Sequence, residues 1–329
     1  MKVLVIRFSS LGDVILTTAF LYALRKECSS CEIWYVTKSE FAEILKDQPY
    51  IDRLIYLERK ENIIHLSKRI DAEFDCIFDL HNNLRSTLLR NIIKAKKVKI
   101  VEKHILYRYK LLKKSKGLTK FIKNRTTKDV VEDELNLLKP YKHIKDDANI
   151  KPVLYLNRTK SFKKPVIAVA PGARWKTKQW PTEYFIELIN KLDIYYNPTI
   201  LLFGSKDEVK IADNIFSKSK NVLNFVGKLS IAETASYMRS SDVAVSNDSG
   251  LMHMAIALDI PVVAMFGPTV KGFGFFPRGR NTIIEKNLEC RPCSMHGSNS
   301  CKMNTYECMR SITPSEVFDA VSNFLEDKI

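Results

Sequence analysis

Asp248, Ser249 and Gly250 stand where the apolar run DVAVS turns through Asn247 into the apolar stretch LMHMAIAL. A strand ending in small polar residues that open a helix leaves backbone N–H groups facing outward. With the helix dipole, these favour a phosphate. Gly250 carries no Cβ to obstruct it, and His253 lies one turn further on. IPVVAMFGPT follows as another strand with a Gly-Pro loop. Two successive strand ends on one edge of a parallel sheet describe a nucleotide crevice.

Other chemically capable residues occupy equivalent places. MKVLVIRF runs into Ser9-Ser10-Leu11-Gly12-Asp13, a polar loop with an acid at the mouth of the helix VILTTAFLYALRK. FDCIFDL runs into His81-Asn82-Asn83-Leu84-Arg85-Ser86, and VIAVA into Pro171-Gly172-Ala173 followed by Arg174, Lys176 and Lys178. PTILLF ends at Gly204-Ser205, just before Asp207 and Glu208. Every one of these positions also has a plain structural reading. Asp13 and His81 could cap helices, Arg85 and Lys178 could be solvated charges, and His253 sits on an otherwise apolar helix.

Alternating strands and helices position these loops. The pattern holds through residue 100 and resumes after residue 165, so the chain reads as α/β, one doubly wound parallel-sheet architecture used twice. The domains expected are 1–155 and 156–329, joined by a polar, proline-containing linker that ends near 165. The terminal helix, 314–328, is expected to pack back on the first domain. Ser230-x-x-Glu233 and Thr313-Pro314-x-Glu316 are helix-start signatures. No GxGxxG follows either first strand, which disfavours a nicotinamide oxidoreductase.

The net charge is +16, and 45% of the 329 residues are hydrophobic. Between Arg85 and Lys128 there are sixteen Lys or Arg and one acid, Glu102. The basic residues are interleaved with Leu, Ile, Phe and Tyr, which reads as a surface-seeking segment suited to an anionic membrane. No helix-turn-helix, zinc-finger or RNA-binding signature accompanies them, so nucleic acid is not expected. The first apolar run is too short for a signal peptide, and no run approaches a membrane span. A cytoplasmic location follows, and seven cysteines there argue against a disulfide framework. Cys28-x-x-Cys31 reads as incidental. Cys290, Cys293, Cys301 and Cys308 have the count for a structural zinc site but an irregular spacing.

RFSSLGDVILTTAFLYALR, APGARWKTKQWP, GSKDE, SNDSGLMHMAIALDIPVVAMFGPT and the late Cys-x-x-Cys segment together resemble glycosyltransferase family 9, the heptosyltransferases of lipopolysaccharide core synthesis. The resemblance runs over almost the whole chain, in order. It implies a GT-B architecture, two Rossmann-like domains facing a central cleft, with acceptor on the first and nucleotide-sugar on the second. It implies an inverting, metal-independent transfer from ADP-heptose to an acidic lipid-linked sugar, with no cofactor, on the inner face of the cytoplasmic membrane. The family's Ser-x-Gly-Asp loop falls on Ser10, Gly12 and Asp13, which makes Asp13 the catalytic base. Donor binding falls on Lys178, Glu208, Asp248, Ser249, Gly250 and His253. Acceptor contact falls on Ser10, Gly12, His81 and Arg85. Lys178 would neutralise charge on the departing diphosphate, the part a metal plays elsewhere. The competing readings are another nucleotide sugar, or a non-catalytic nucleotide-fold protein bound to membrane or nucleic acid. Closure about the linker and the terminal helix is expected, because water must be kept from the donor.

Overall fold

The computed structural model describes residues 1–112, 129–141, 150–156 and 159–327. These form two compact units, one of Met1–His104 with the described residues between Lys128 and Tyr155, the other of Ile105–Leu112 with the described residues from Leu156 onward. The helix Ile105–Leu112, placed by sequence in the first domain, belongs to the second unit. There Leu111 fills the space beside Gly272, and the Arg108 guanidinium lies 5.2 Å from the centre of the Phe275 ring. The rest of the basic segment, 113–128, lies outside the described residues.

The first unit is a five-stranded parallel sheet in the order β3-β2-β1-β4-β5. Its elements are β1 (Lys2–Ile6), α1 (Leu11–Glu27), β2 (Glu32–Lys38), α2 (Ser39–Leu45), β3 (Arg53–Leu57), α3 (Ile63–Arg69), β4 (Cys76–Asp79), α4 (Leu84–Ile92) and β5 (Val98–Ile100). Helix α5 (Ile105–Leu112) and α6 (Val130–Leu135) follow in the chain. Helices cover both faces of a parallel sheet, so its central strands are apolar throughout. Val3 to Ile6 are accordingly wholly buried, with Leu4 and Ile6 in one core with Trp34, Ile55, Phe74 and Ile77. The segment after α6 is tied to this unit at its far end. Val153 N–H donates to Thr18 Oγ1 (3.0 Å), the Tyr50 hydroxyl donates to the Val153 carbonyl (2.7 Å), and Tyr155 N–H donates to Gln48 Oε1 (2.9 Å). Of the expected linker, 142–149 and 157–158 lie outside the described residues.

The second unit holds a six-stranded parallel sheet in the order β11-β10-β9-β6-β7-β8. Its elements are β6 (Val166–Ala170), α7 (Thr182–Tyr196), β7 (Thr199–Leu202), α8 (Val209–Lys218), β8 (Val222–Asn224), α9 (Ile231–Met238), β9 (Val243–Asn247), α10 (Gly250–Ala257), β10 (Val262–Phe266), β11 (Asn281–Glu285), α11 (Glu307–Arg310) and α12 (Pro314–Glu326). Both expected capping boxes are present, at Ser230–Glu233 and Thr313–Glu316. Val317, Val321 and Leu325 of helix α12 join Phe185, Leu188 and Leu192 of α7 in the second unit's core.

In both sheets the strand order reverses beside the first strand, between β1 and β4 and between β6 and β9. Loops leaving such a pair in opposite directions open a crevice at the C-terminal edge. Each of the polar strand ends picked out by sequence is at such an edge. Cys28 and Cys31 are joined by a disulfide, which the sequence reading missed. The turn leaving α1 brings their Cα atoms to 5.3 Å, within the range a disulfide spans.

Candidate active site

In the first unit, Asp13 sits at the third position of α1, and Ser10 is the residue that caps the helix. One Asp13 oxygen, Oδ2, accepts from the Ser10 backbone N–H (2.9 Å) and hydroxyl (2.8 Å). The other, Oδ1, is 2.5 Å from Arg7 Nη2. Asp13 therefore closes a capping box and carries an arginine ion pair at once. Gly12 is buried in the same turn. Arg7 extends from the end of β1, and its Nε donates to the Ser9 carbonyl (3.0 Å) while Nη1 donates to that of Leu80. That second bond ties the β1 and β4 loops together beside His81.

Asn83, not His81, caps α4: its Oδ1 accepts from Ser86 N–H (2.9 Å). The His81 ring meets Phe8 edge-on at 5.9 Å, and its Nδ1 is buried with no hydrogen-bond partner among the described residues. Burial first, then the positive charges of Arg7 and Lys103, lower the His81 pKa to about 4. Its imidazole is thus neutral near pH 7 and can accept or donate one hydrogen bond. Below it, buried Asp79 accepts from the backbone of His81 and Asn82 and pairs with Arg90. Arg85 is exposed on the first turn of α4 and makes no described hydrogen bond or ion pair. The structure thus draws Ser10, Gly12, Asp13 and His81 together and leaves Arg85 outside.

In the second unit, Asn247 at the end of β9 bridges the reversal point. Its Nδ2 donates to the carbonyls of Pro171 (2.8 Å) and Gly172 (3.3 Å), and its Oδ1 accepts from Trp180 N–H (3.1 Å). This holds the basic loop against Asp248. Lys178 Nζ is 2.6 Å from Asp248 Oδ2, which also accepts from the Thr269 hydroxyl (2.7 Å). Ser249 caps α10 and Gly250 is its first residue, so the free N–H groups of that helix start open beside the pair. His253 is 4% exposed and packed into α10's buried face. Glu208 accepts from Ser205 N–H (2.6 Å) and hydroxyl (3.1 Å). A Cβ on Gly172 would lie 2.0 Å from Glu208 Oε1, and one on Gly204 2.6 Å from Oε2. Two glycines are therefore needed for this carboxylate to lie across the ends of β6 and β7. Neighbouring Asp207 is exposed.

The cysteine-rich loop acts as a brace for these residues. Arg291, almost fully buried, donates to the carbonyls of Gly267, Lys286 and Thr269 and pairs with Glu285. Thr177, next to Lys178, exchanges hydrogen bonds with Ser298. Among the described residues no three His, Cys, Asp or Glu side chains gather as a metal ion requires. Cys290, Cys293, Cys301 and Cys308 are not gathered as such a group. Burial and the neighbouring Cys293 push the Cys308 thiol up to about 11, so it packs as a neutral group. Arg7, Thr269 and Arg291 escaped the sequence reading, and Asn247 was read there only as a turn residue. Arg7 and Asn247 carried a usable signal, a polar residue ending a buried strand, whereas Thr269 and Arg291 carried none.

The model of "Glycosyltransferase family 9 (heptosyltransferase)" matches residues 63–304. Lipopolysaccharide heptosyltransferase 1 of Campylobacter coli is 27% identical over 87% of this chain and 89% of its own length. A glycosyl transferase family 9 crystal structure from Veillonella parvula superposes with a TM-score of 0.80 at 21% identity, covering 99% of this chain and 97% of that one. The E. coli ADP-heptose lipopolysaccharide heptosyltransferase II gives 0.73 at 21% identity, covering 100% and 99%. With two Rossmann-like parallel sheets of the GT-B class and a family match over most of its length, the chain belongs to glycosyltransferase family 9 and is a glycosyltransferase.

Proposed function

We propose that this enzyme transfers a heptose from ADP-heptose, with inversion and without a metal, to an acidic Kdo- or heptose-bearing sugar of the lipopolysaccharide inner core. The observation that carries this reading is the Lys178–Asp248–Thr269 cluster at the open start of α10, in a chain whose other sheet presents Asp13 at its reversal point. Ser249 and Gly250 N–H groups would take the diphosphate. Lys178 would neutralise the charge that grows on it as the glycosidic bond breaks. Asp248 Oδ2 is engaged by Lys178 and Thr269, so its Oδ1 serves a sugar hydroxyl. Glu208 would take the ribose hydroxyls, and His253 would support the cradle from within α10. In the first unit Asp13 accepts the proton of the attacking hydroxyl, with neutral His81 and Ser10 beside it for the acceptor. Catalysis then needs no cofactor. Measuring ADP release tests it: ADP-heptose with Kdo-lipid A or heptosylated core should turn over, and other nucleotide sugars should not. Turnover with another nucleotide sugar and none with ADP-heptose would sink the donor assignment.

The acceptor is lipid-linked, and we place the enzyme peripherally on the anionic inner face of the cytoplasmic membrane. Among the described residues no helix is long and apolar enough to cross a membrane. Helix α4 supports surface attachment. It buries Ser86 and Leu89 yet exposes Leu84 (91%), Leu88 and Ile92 on its other side. An apolar stripe on an outer helix face is unusual unless something covers it. Arg85, Lys94, Lys96 and Lys97 are exposed with it, and no acid occurs from His81 to Val101. Lys94 and Lys96 pair with Glu73 and Asp75, so Arg85 and Lys97 carry most of the free charge. Sedimentation with vesicles of phosphatidylglycerol should retain the protein, and pure phosphatidylcholine should not. Leu84→Ser with Leu88→Ser should weaken retention about tenfold or more, given roughly 1.5–3 kcal/mol for each fully buried leucine. Equal retention of that variant would remove α4 from the contact.

A further inference from the structure

Helix α6 carries a carboxyl group that neither the fold nor the proposed chemistry has yet used. Glu134 is 0% exposed, and neither of its carboxyl oxygens makes a hydrogen bond among the described residues. Helix α6 packs on α1, the helix that begins beside Asp13. The nearest opposite charge is Arg7, whose Nη1 is 4.0 Å from Glu134 Oε1, while its Nη2 is 2.5 Å from Asp13 Oδ1. One guanidinium therefore stands between two carboxyl groups, bonded to Asp13 and only near Glu134. Facing Glu134 are Arg7 from the loop after β1, Asp13 from α1 and Tyr35 from β2, with Asp129 and Asp133 on its own segment. The Tyr35 hydroxyl is taken by Thr17 at 2.8 Å. Burial, opposed by the Arg7 charge and reinforced by the nearby acids, pushes the Glu134 carboxyl well above the usual range.

A buried acid without a hydrogen bond costs stability, and a glutamine or methionine of similar size would fill the same space. Such a group beside a reactive carboxylate calls for a functional explanation. We infer that Glu134 is a positioning residue for the base: uncharged, it leaves Arg7 to Asp13, and when ionised it draws Arg7 away. This rests on the reading of Asp13 as the base. The competition is unequal in a useful way. Asp13 keeps the Ser10 N–H and hydroxyl whatever Arg7 does, whereas among the described residues Arg7 is the cation that stands by an ionised, fully buried Glu134. Ionisation of Glu134 thus releases Asp13 Oδ1 and sets the upper pH limit of the base's alignment.

The test is the pH profile of kcat for the full-length enzyme and for Glu134→Gln and Glu134→Met. In the wild type kcat should fall on the alkaline side. In both variants that fall should vanish or move up by about one unit or more, because neither side chain can ionise. A second readout is thermal stability. The unfolded chain releases the Glu134 proton at ordinary carboxyl pH and the folded chain does not, so the wild type loses stability relative to the variants as pH rises above about 4.5. Below that pH the difference should close. Alkaline limbs that superimpose on the wild type in a folded variant, or a wild type with no alkaline fall, overturn the inference. If Asp13→Asn keeps full turnover, the base assignment itself fails. If that variant is inactive and the Glu134 limbs are unchanged, only the role of Glu134 fails.

Discussion

Asp13→Asn is expected to lower turnover by about 10²–10⁴-fold, the usual worth of a positioned general base. Asparagine keeps the shape and an oxygen that can accept from the Ser10 N–H and hydroxyl, so the start of α1 should survive. What it loses is the lone pair that takes the acceptor's proton and the charge that pairs with Arg7 at 2.5 Å. Donor affinity should change little, because the diphosphate cradle belongs to the other unit. Single-turnover measurement with saturating ADP-heptose separates the two effects. A rate within a few-fold of the wild type would show that Asp13 is only a helix residue.

Lys178→Ala should cost about 10²–10³-fold in turnover, comparable to removing one preorganised donor from a developing anion. It should also destabilise the second unit by about 3 kcal/mol, since it strands the largely buried Asp248 carboxylate with the Thr269 hydroxyl alone. The two losses can be told apart. Adding Asp248→Asn removes the stranded charge and should recover most of the melting temperature while leaving the rate as low or lower. Should the double variant regain activity along with stability, Lys178 would be a structural partner of Asp248 rather than a phosphate ligand.

These variants bear on residues that were visible to different degrees beforehand. Asp13, Asp248, Ser249 and Gly250 could be found because parallel strands buried on both faces read as apolar runs, and the polar residues that end them stand out. Glu208 was half visible. Two adjacent acids followed Gly204-Ser205, and only the packing of one carboxylate on Gly172 and Gly204 separates it from exposed Asp207. Arg85 and His81 were equally plausible in the chain. The bend at Asn82, with positive φ, and the Asn83 cap leave His81 beside Arg7 and turn Arg85 to solvent. The cysteine-rich loop shows the same limit. Its spacing left a packed loop or a ligand set open, and only the structure shows that its polar residues, above all Arg291, bind it to the loops around Thr269 and Thr177.

Glu134 marks the boundary most sharply. Glu132, Asp133 and Glu134 are three acids in a row, and by composition all three belong on a solvated helix face. The spacing of Val130, Val131 and Leu135 places Glu134 on the buried side, a signal present in the chain and easily overlooked. What the spacing could not show is that Arg7, some 127 positions earlier, lies on the other side of it. Local pattern decides which strands and helices form and where a phosphate or a base can sit, because those depend on neighbours within a few residues. Which acids share one arginine, which glycines admit a carboxylate and which core receives the last helix depend on atoms far apart in the chain, and only the packed tertiary structure brings those together.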